Sequence, residues 1–386
     1  MVNGGVHDGS RIKVFHVVTH FDVGGAERVA VSIARSATAS MEYHVVEVIR
    51  GHSDYTAMFI DELRSAGITY HRAWLPEVHF HYLFERMAAA VFPLWFSLLC
   101  VRHRPSVIHS HTEVPDMAVF ALFTVFPCLK KRCRIVRTIH NTRLWTGLGA
   151  TGRMVERFFK RHGNNIAISR SVQDSYMKVY GERPPIIYNG VEAAETYGDD
   201  GERPVYDGLV AGKTNILFAG RMEPQKGIDT LIRVVTMLKD DDRYHFHILG
   251  DGRMRGQVEQ RLGALGNVTL RLPLHGLKSY LHCFDYLFMP SEFEGLSILA
   301  IEAGMEGLPV IANSCAGLVD TLPEGWPLAV KDNDIGAYMH LFGDVLPTVS
   351  RERLSREARL FAERHFGVRL MQERYEEVYR RITSSQ

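Results

Sequence analysis

The feature that most constrains this chain is an alternation, made twice over, of short β-branched runs with longer helical patterns. Segments 11–18 (RIKVFHVV), 43–49 (YHVVEVI), 106–111 (SVIHSH), 134–140 (RIVRTIH), 165–169 (NIAIS) and 185–189 (PIIYN) read as strands, with candidate helices between them at 26–37, 55–66 and 171–179. Strands fed by intervening helices imply a mostly parallel sheet covered on both faces. The pattern stops at 195–214, where Gly, Asp and Pro are frequent and neither period survives. It then restarts, with strands at 215–220, 245–250, 286–290 and 308–312 and helices near 228–238, 254–265 and 297–303. An α/β fold with two domains of like architecture is expected, and 386 residues are too many for one ordinary core. The tail 351–380 carries an amphipathic helical pattern interrupted near Gly367, suited to packing along a sheet or bridging two domains.

Charge and cysteine usage exclude several classes. The formal net charge is +1, so bulk charge gives no reason to expect nucleic acid as a partner. Cys100, Cys128, Cys133, Cys283 and Cys315 form neither a CxxC pair nor a secreted scaffold's spacing, which points to reduced thiols, a cytosolic location and no structural metal site. Residues 1–20 hold one short apolar strand and lack the long apolar segment and cleavage site of a secretory signal. The apolar run 87–100 (MAAAVFPLWFSLLC) falls short of the roughly 20 residues that span a bilayer. It reads either as a buried core helix or as a surface helix resting on a membrane. The nearby VRHR and LKKRCR would favour anionic lipid if they share a face.

Ligands of open parallel sheets bind beyond the carboxyl ends of the strands, and several unusual polar residues fall there. After the first strand comes HFDVGGAERVA (20–30), where Gly24 and Gly25 allow a tight turn and deliver N–H groups at a helix start. This is not the GxGxxG dinucleotide fingerprint, and a plain glycine turn explains the same residues. After the strand at 215–220, GRMEPQKGIDTLI places Arg221 and Lys226 in one loop before a helix. Two such cations can neutralise a nucleotide diphosphate without a metal, or they belong to a solvated loop.

The stretch PSEFEGLSILAIEAG (290–304) puts Glu294 in the loop after a strand and Gly295, Leu296 and Ser297 near a helix N-terminus, where amide groups bind phosphate. Glu302 lies about one and a half turns into that helix and reaches a group beside the phosphate site. Carboxylates accept hydrogen bonds from hydroxyls, so one on ribose and one on a hexose would fit a nucleotide sugar. The alternative is a helix N-terminal Glu and a partly buried Glu paired with some cation. His109 and His111 lie at one strand end and His140 at another. Their spacing leaves open whether the first two imidazoles face the same way, and without HExxH or an acidic ligand set it does not suggest a metal site.

Taken in order, GGAER (24–28), VIHSH (107–111), TIHN (138–141), IIYNGV (186–191), FAGRMEPQKGIDTLI (218–232), HILGDG (247–252), PSEFEGLSILAIEAG and GLPVIA (307–312) resemble the retaining glycosyltransferases of family four. The resemblance covers nearly the whole chain. It implies the GT-B architecture, two Rossmann-like domains facing across a cleft. An acceptor-binding domain at 1–191 and a linker at 192–214 would precede a nucleotide-sugar-binding domain at 215–350 and a helical segment at 351–386 that crosses between domains. It also implies residue roles. Arg221 and Lys226 neutralise the diphosphate, Glu302 holds the donor ribose, Glu294 contacts the transferred sugar, and the backbone of Gly295, Leu296 and Ser297 holds phosphate. Gly24 and Gly25 lie near the diphosphate and acceptor, and His140 corresponds to the active-site histidine. Asp320 stands where the family often has Glu, and EAGMEG (302–307) lacks the commoner Ala-Cys or Ala-Ser before its last glycine.

The mechanism implied is transfer with retention at the sugar C1. The acceptor attacks the face from which the diphosphate leaves, and the departing phosphate takes the acceptor proton, so Glu294 and Glu302 are not a glycosidase acid and base pair. The resemblance calls for no metal or cofactor. The donor is a UDP- or GDP-sugar, and the acceptor is a sugar, small-molecule or lipid-linked hydroxyl, as in surface-polysaccharide or glycolipid synthesis. A cytoplasmic enzyme is expected; contact with the inner, anionic face of the cell membrane follows only where 87–100 is the surface helix. The rival readings are a sugar-nucleotide epimerase of similar fold and a catalytically silent sugar-nucleotide binder.

Overall fold

Each alternation of strand and helix folds into its own parallel sheet. The computed structural model describes residues 11–21, 24–36, 38, 40–77, 81–146, 148–192 and 203–384. They divide into two units, one made of residues up to Gly190 together with those from Val368 on, the other of Val191–Gly367.

In the first unit the chain runs β1 (Ile12–Val18), α1 (Gly25–Ala34), β2 (Met41–Glu47), α2 (Asp54–Ser65), β3 (Thr69–His71), α3 (His81–His103), β4 (Val107–His111), α4 (Glu113–Val125), β5 (Arg134–Ile139), α5 (Gly149–His162), β6 (Gly163–Ala167) and α6 (Arg170–Tyr180). The second unit follows with β7 (Thr214–Ala219), α7 (Ile228–Met237), β8 (Tyr244–Leu249), α8 (Arg255–Leu262), β9 (Val268–Arg271), β10 (Tyr286–Met289), α9 (Ile298–Glu306), β11 (Val310–Asn313), β12 (Ala329–Val330), α10 (Ile335–His340) and α11 (Arg351–Phe366). The last helix, α12 (Val368–Ser384), belongs to the first unit again.

The strand orders are β3-β2-β1-β4-β5-β6 and β12-β11-β10-β7-β8-β9, with parallel pairing throughout. Both units are therefore Rossmann-like. The order reverses between β1 and β4 in one sheet and between β7 and β10 in the other, and these switch points are where loops diverge and leave a crevice. Helices cover both faces, so β4 is buried throughout and β1 from Val14 onward.

Alternate residues of the first sheet feed two cores. Phe15 and Ile108 pack with Ala88, Phe92, Phe96 and Phe123 of α3 and α4. Val14, Val107 and Val136 pack on the opposite face with Val29 and Ile33 of α1 and with Met371, Tyr375, Val378, Tyr379 and Ile382 of α12. Hydroxyls of α12 reach into the sheet: Tyr375 meets Thr138 Oγ1 at 2.8 Å and Tyr379 meets His109 Nδ1 at 2.7 Å. The break expected near Gly367 is the point where the chain passes from one unit to the other.

Two sequence expectations need correction. Segment 185–189 forms only an isolated bridge, Ile186 to Ala167, in place of a strand, because beyond it the chain turns to meet Val368 and Met371 at Gly190. Residues 203–214 of the expected linker are part of the second unit, since Tyr206 is buried in its core, and residues 193–202 lie outside the described residues. The short strands β3, β9 and β12 complete the two sheets, and α4, α5 and α10 join the helices read from the sequence; β3 and β12 are too short to show a period.

Because the aromatic face of α12 fills the first core, Tyr379→Ala is expected to cost about 3–5 kcal/mol of stability, the usual range for deleting a large buried aromatic side chain. Amide exchange should accelerate in β1, β4 and β5 and stay unchanged in β7 and β8. Equal acceleration in both units would contradict this packing.

Candidate functional site

In the second unit the loops after β7, β10 and β11 interlock at the switch point. Gly227 has φ +68, and a Cβ there would lie 1.8 Å from the carbonyl oxygen of Pro290, so only glycine lets the Arg221–Lys226 loop touch the end of β10. Two hydrogen bonds hold the contact, Glu292 N–H to Gln225 O at 2.8 Å and Gln225 Nε2 to Phe293 O at 3.1 Å. On the other side Gly317, φ +77, would place a Cβ 2.2 Å from Glu294 O. There Glu294 N–H donates to Ala316 O at 2.9 Å. HILGDG supports the first loop from behind, with Met222 N–H donating to Asp251 O at 2.7 Å.

This interlock brings together residues far apart in sequence. Lys226 Nζ donates to Glu294 Oε1 at 2.6 Å, with the two side chains 21% and 8% exposed. A carboxylate that buried is sustained by its cation. Arg221 in the same loop is exposed, and its side chain makes no hydrogen bond or ion pair among the described residues. Ser297 caps α9, its hydroxyl accepting from Ala300 N–H at 3.4 Å, so Gly295, Leu296 and Ser297 stand at a helix N-terminus as expected. Glu302 is half-buried in the second turn of α9, and Asp320 lies half-buried in a short turn three residues past Gly317. The Arg221–Lys226 loop and the N-terminus of α9 thus follow the neighbouring strands β7 and β10, with Lys226 bonded to Glu294 in the loop before α9. Cations and helix N-termini are groups that attract phosphate oxygens.

In the first unit Gly24 caps α1, and a Cβ there would lie 2.0 Å from Glu27 Oε2, so the buried Glu27 folds against the turn. Gly25 has open space where its side chain would be.

His140 follows β5 and is 8% exposed. His109 and His111 share one face, their ring centroids 4.1 Å apart, as residues two apart on a strand must. His16, in register with His109 on β1, joins them. His16 Nδ1 lies 3.0 Å from His111 Nε2, and His111 Nδ1 lies 3.2 Å from His140 Nε2. His109 instead bonds the hydroxyls of Tyr379 and Thr138, both at 2.7 Å. The nitrogens of His16, His109 and His111 fall within 4.8 Å of one another, a spacing a cation could use. All of their ring nitrogens except His16 Nε2 are bonded to one another, to His140 or to hydroxyls, so the arrangement is a polar chain. Burial pushes His16 and His140 down to about 3 and His109 and His111 well below the usual imidazole range, leaving all four neutral near pH 7.

Two features brace this face. Arg137 donates to Asp116 at 2.7 Å and in fork fashion to Glu156 at 2.7 and 2.9 Å, while Trp145 Nε1 reaches Glu156 at 2.6 Å and so ties down the segment that follows His140. Thr112, next to His111, has φ +74 and ψ 173, a conformation that costs a residue with a side chain on the order of 1–3 kcal/mol and marks strain beside the cluster.

His16, Thr138, Tyr375 and Tyr379 were not singled out from sequence. The alternation of VFHVV and VIHSH, once β1 is paired with β4, would have placed His16 beside His109. The tyrosines of α12, 237 residues from Thr138 for Tyr375 and 270 from His109 for Tyr379, carry no such signal.

A family model described as Glycosyltransferase Family 4 matches residues 23–195, and one described as Glycosyl transferases group 1 matches residues 213–346. An uncharacterized 41.2 kDa protein in the cps region of Klebsiella pneumoniae is 28% identical over 244 residues, 57% of this chain and 63% of that protein. An uncharacterized glycosyltransferase of Methanocaldococcus jannaschii is 30% identical over 241 residues, 59% of this chain and 62% of its own length. These alignments span slightly less than two thirds of each relative. HepE of Anabaena, solved with UDP and glucose, superposes with a TM-score of 0.72 at 17% identity, covering 95% of this chain and 99% of that one, a likeness of fold.

The four buried histidines set a sign for stability against pH. In the unfolded chain they titrate near 6.5, in the folded unit far lower, so between those values the unfolded state binds more protons. Stability should be level above pH 7 and fall as pH drops below 6.5 toward 3, by up to about 1.4 kcal/mol per pH unit for each ring. Urea midpoints between pH 8 and 5 should fall less steeply in His16→Phe than in the natural chain. Identical slopes would contradict burial of a neutral His16.

Proposed function

Since the chain belongs to the GT-B glycosyltransferases related to family 4, we propose that it transfers a glycosyl group from a nucleoside-diphosphate sugar to a hydroxyl acceptor with retention at C1. The observation that carries this reading is the meeting of Lys226, Glu294 and the α9 N-terminus at the switch point of the second sheet. As the C1–oxygen bond breaks, negative charge grows on the leaving phosphate, and Lys226, Arg221 and the amides of Gly295 to Ser297 stabilise it there. Lys226 exchanges part of its bond to Glu294 for a phosphate oxygen, which frees that carboxylate for hydroxyls of the transferred sugar. Glu302 takes the ribose hydroxyls. His140 contacts the transferred sugar, and Gly24 and Gly25 give backbone room beside the acceptor and diphosphate. The departing phosphate accepts the acceptor proton, so no side chain need act as base.

The UDP and glucose bound to HepE support a UDP-sugar donor. A Bacillus subtilis relative named as a putative teichuronic acid biosynthesis glycosyltransferase supports a surface-polymer or glycolipid acceptor.

The outer face of α3 fits a lipid-linked acceptor. Met87, Leu94, Leu98 and Val101 are 50%, 58%, 61% and 73% exposed and, with exposed Ala90, recur every three or four residues as one apolar stripe. Arg102 and Arg104, both exposed, close its end, and Cys133 Sγ bonded to Pro105 O at 3.0 Å ties the residue before β5 to the turn that follows α3. Phe84–His103 is long and apolar enough to cross a membrane, yet 44% of it is buried in the first unit, which suits a helix lying on an anionic bilayer. Five free cysteines suit the cytoplasmic side.

Two measurements test this. With a panel of nucleotide sugars, Lys226→Ala and Glu302→Ala should each weaken donor binding by about 10- to 100-fold, the loss of one charge-assisted contact. Unchanged affinity and turnover in both would overturn the site. Conversion of free donor without acceptor would instead favour an epimerase, and binding without transfer or hydrolysis a silent binder. On vesicles containing phosphatidylglycerol at low salt the natural chain should bind, and Leu94→Glu with Leu98→Glu should release it while donor affinity holds. No binding by the natural chain would remove the membrane contact.

A further inference from the structure

We infer that His16 and His111 are positioning residues that lock His140 in the tautomer with its proton on Nδ1, making that nitrogen a hydrogen-bond donor. The argument begins with the sheet. β1, β4 and β5 are neighbours, and their registers put His16, His109, His111 and Thr138 on one face with His140 two residues further on. Three rings step across that face, His16 to His111 at 3.0 Å and His111 to His140 at 3.2 Å. Each contact joins nitrogen to nitrogen, so one ring must donate and the other accept.

Three neutral rings carry three protons, one each. The middle ring has one proton for its two contacts, so it donates to one neighbour and accepts from the other. Only two arrangements satisfy both contacts. In one, His16 Nδ1–H donates to His111 Nε2, His111 Nδ1–H donates to His140 Nε2, and the His140 proton sits on Nδ1. In the other every proton is reversed, His140 donates through Nε2, and His16 must carry its proton on Nε2.

The far end of the chain decides between them. His16 Nε2 is buried and has no hydrogen-bond partner among the described residues. A buried N–H without an acceptor is rarer in folded proteins than an unused acceptor, so the arrangement that leaves a bare lone pair on His16 Nε2 prevails. His109 does not relax the constraint, because its partners are the hydroxyls of Thr138 and Tyr379, which donate or accept as needed. Burial keeps a second proton off all three rings.

A ring protonated on Nδ1, with Nε2 already accepting from His111, has no free lone pair. His140 therefore donates to an oxygen at Nδ1 and does not take up a proton as a base. That the oxygen belongs to the transferred sugar or its phosphate rests on the glycosyl-transfer reading; the tautomer does not.

The test is ring-nitrogen NMR of protein carrying 15N-histidine, with the His140 signals assigned by their loss in His140→Gln. The natural chain should show His140 protonated on Nδ1 and bare on Nε2. In His111→Phe the Nε2-protonated form should appear, and turnover should fall about tenfold or more with donor KM within about twofold, since a wrongly protonated active-site imidazole loses its role. His111→Gln, whose amide can donate to Nε2, should restore the Nδ1 proton and most of the rate. A natural chain with its His140 proton on Nε2, or a tautomer unmoved by His111→Phe, would overturn the inference. Nδ1 protonation in a chain that transfers no sugar would uphold the lock and remove the glycosyl-transfer reading instead.

Discussion

Two backbone contacts hold the second unit's site together, Gly227 against the carbonyl of Pro290 and Gly317 against that of Glu294. Neither position has room for a Cβ, and both residues sit at positive φ, so the three loops close only because these residues are glycine. Their closure puts the Lys226 amine 2.6 Å from the Glu294 carboxylate and sets the start of α9 behind it. The paired charges cancel, which makes a nearly buried carboxylate tolerable without ligand. Around this paired charge stand the exposed Arg221 and the partial positive charge of the helix end. In the proposed reading an entering diphosphate competes with Glu294 for the lysine.

The first unit solves a different problem with the same sheet. A parallel sheet covered on both faces is normally lined by aliphatic side chains, yet here one face carries four imidazoles and two tyrosines. They are affordable because nearly every polar atom finds another polar atom on the same face: ring to ring across β1, β4 and β5, and hydroxyl to ring from α12. The strained Thr112 and the Arg137 cluster fix the two strand ends from which His111 and His140 project. Since Tyr375 and Tyr379 come from the last helix, this polar layer is complete only when α12 has docked.

Much of this was legible beforehand because it follows from period and punctuation. The repeated strand and helix alternation sets both sheets, and GRMEPQKG and EFEGLS mark the strand ends at which Lys226 and Glu294 meet. The histidine chain was not legible, and for a physical reason. It depends on which strands become neighbours, and a sequence of helices and strands does not state that β1 lies beside β4. Read alone, His16 is one polar residue in an apolar strand. The two-residue spacing of His109 and His111 did carry the information that they share a face, and reading it as undecided missed that. The roles of Tyr375 and Tyr379 require knowing that the chain returns to the first unit after Gly367, which an amphipathic pattern suggests but does not specify. The linker was drawn too long because Tyr206 lies among Gly, Asp and Pro, where composition hides a buried ring.

The central claim is that the second unit grips a diphosphate through Lys226 and the α9 N-terminus. It is tested most directly by a crystal structure of the full chain with UDP. The account predicts phosphate oxygens within about 3 Å of Lys226 Nζ and of a backbone N–H between Gly295 and Ser297, with the ribose hydroxyls on Glu302. UDP bound away from the ends of β7 and β10, with Lys226 still bonded only to Glu294, would contradict it.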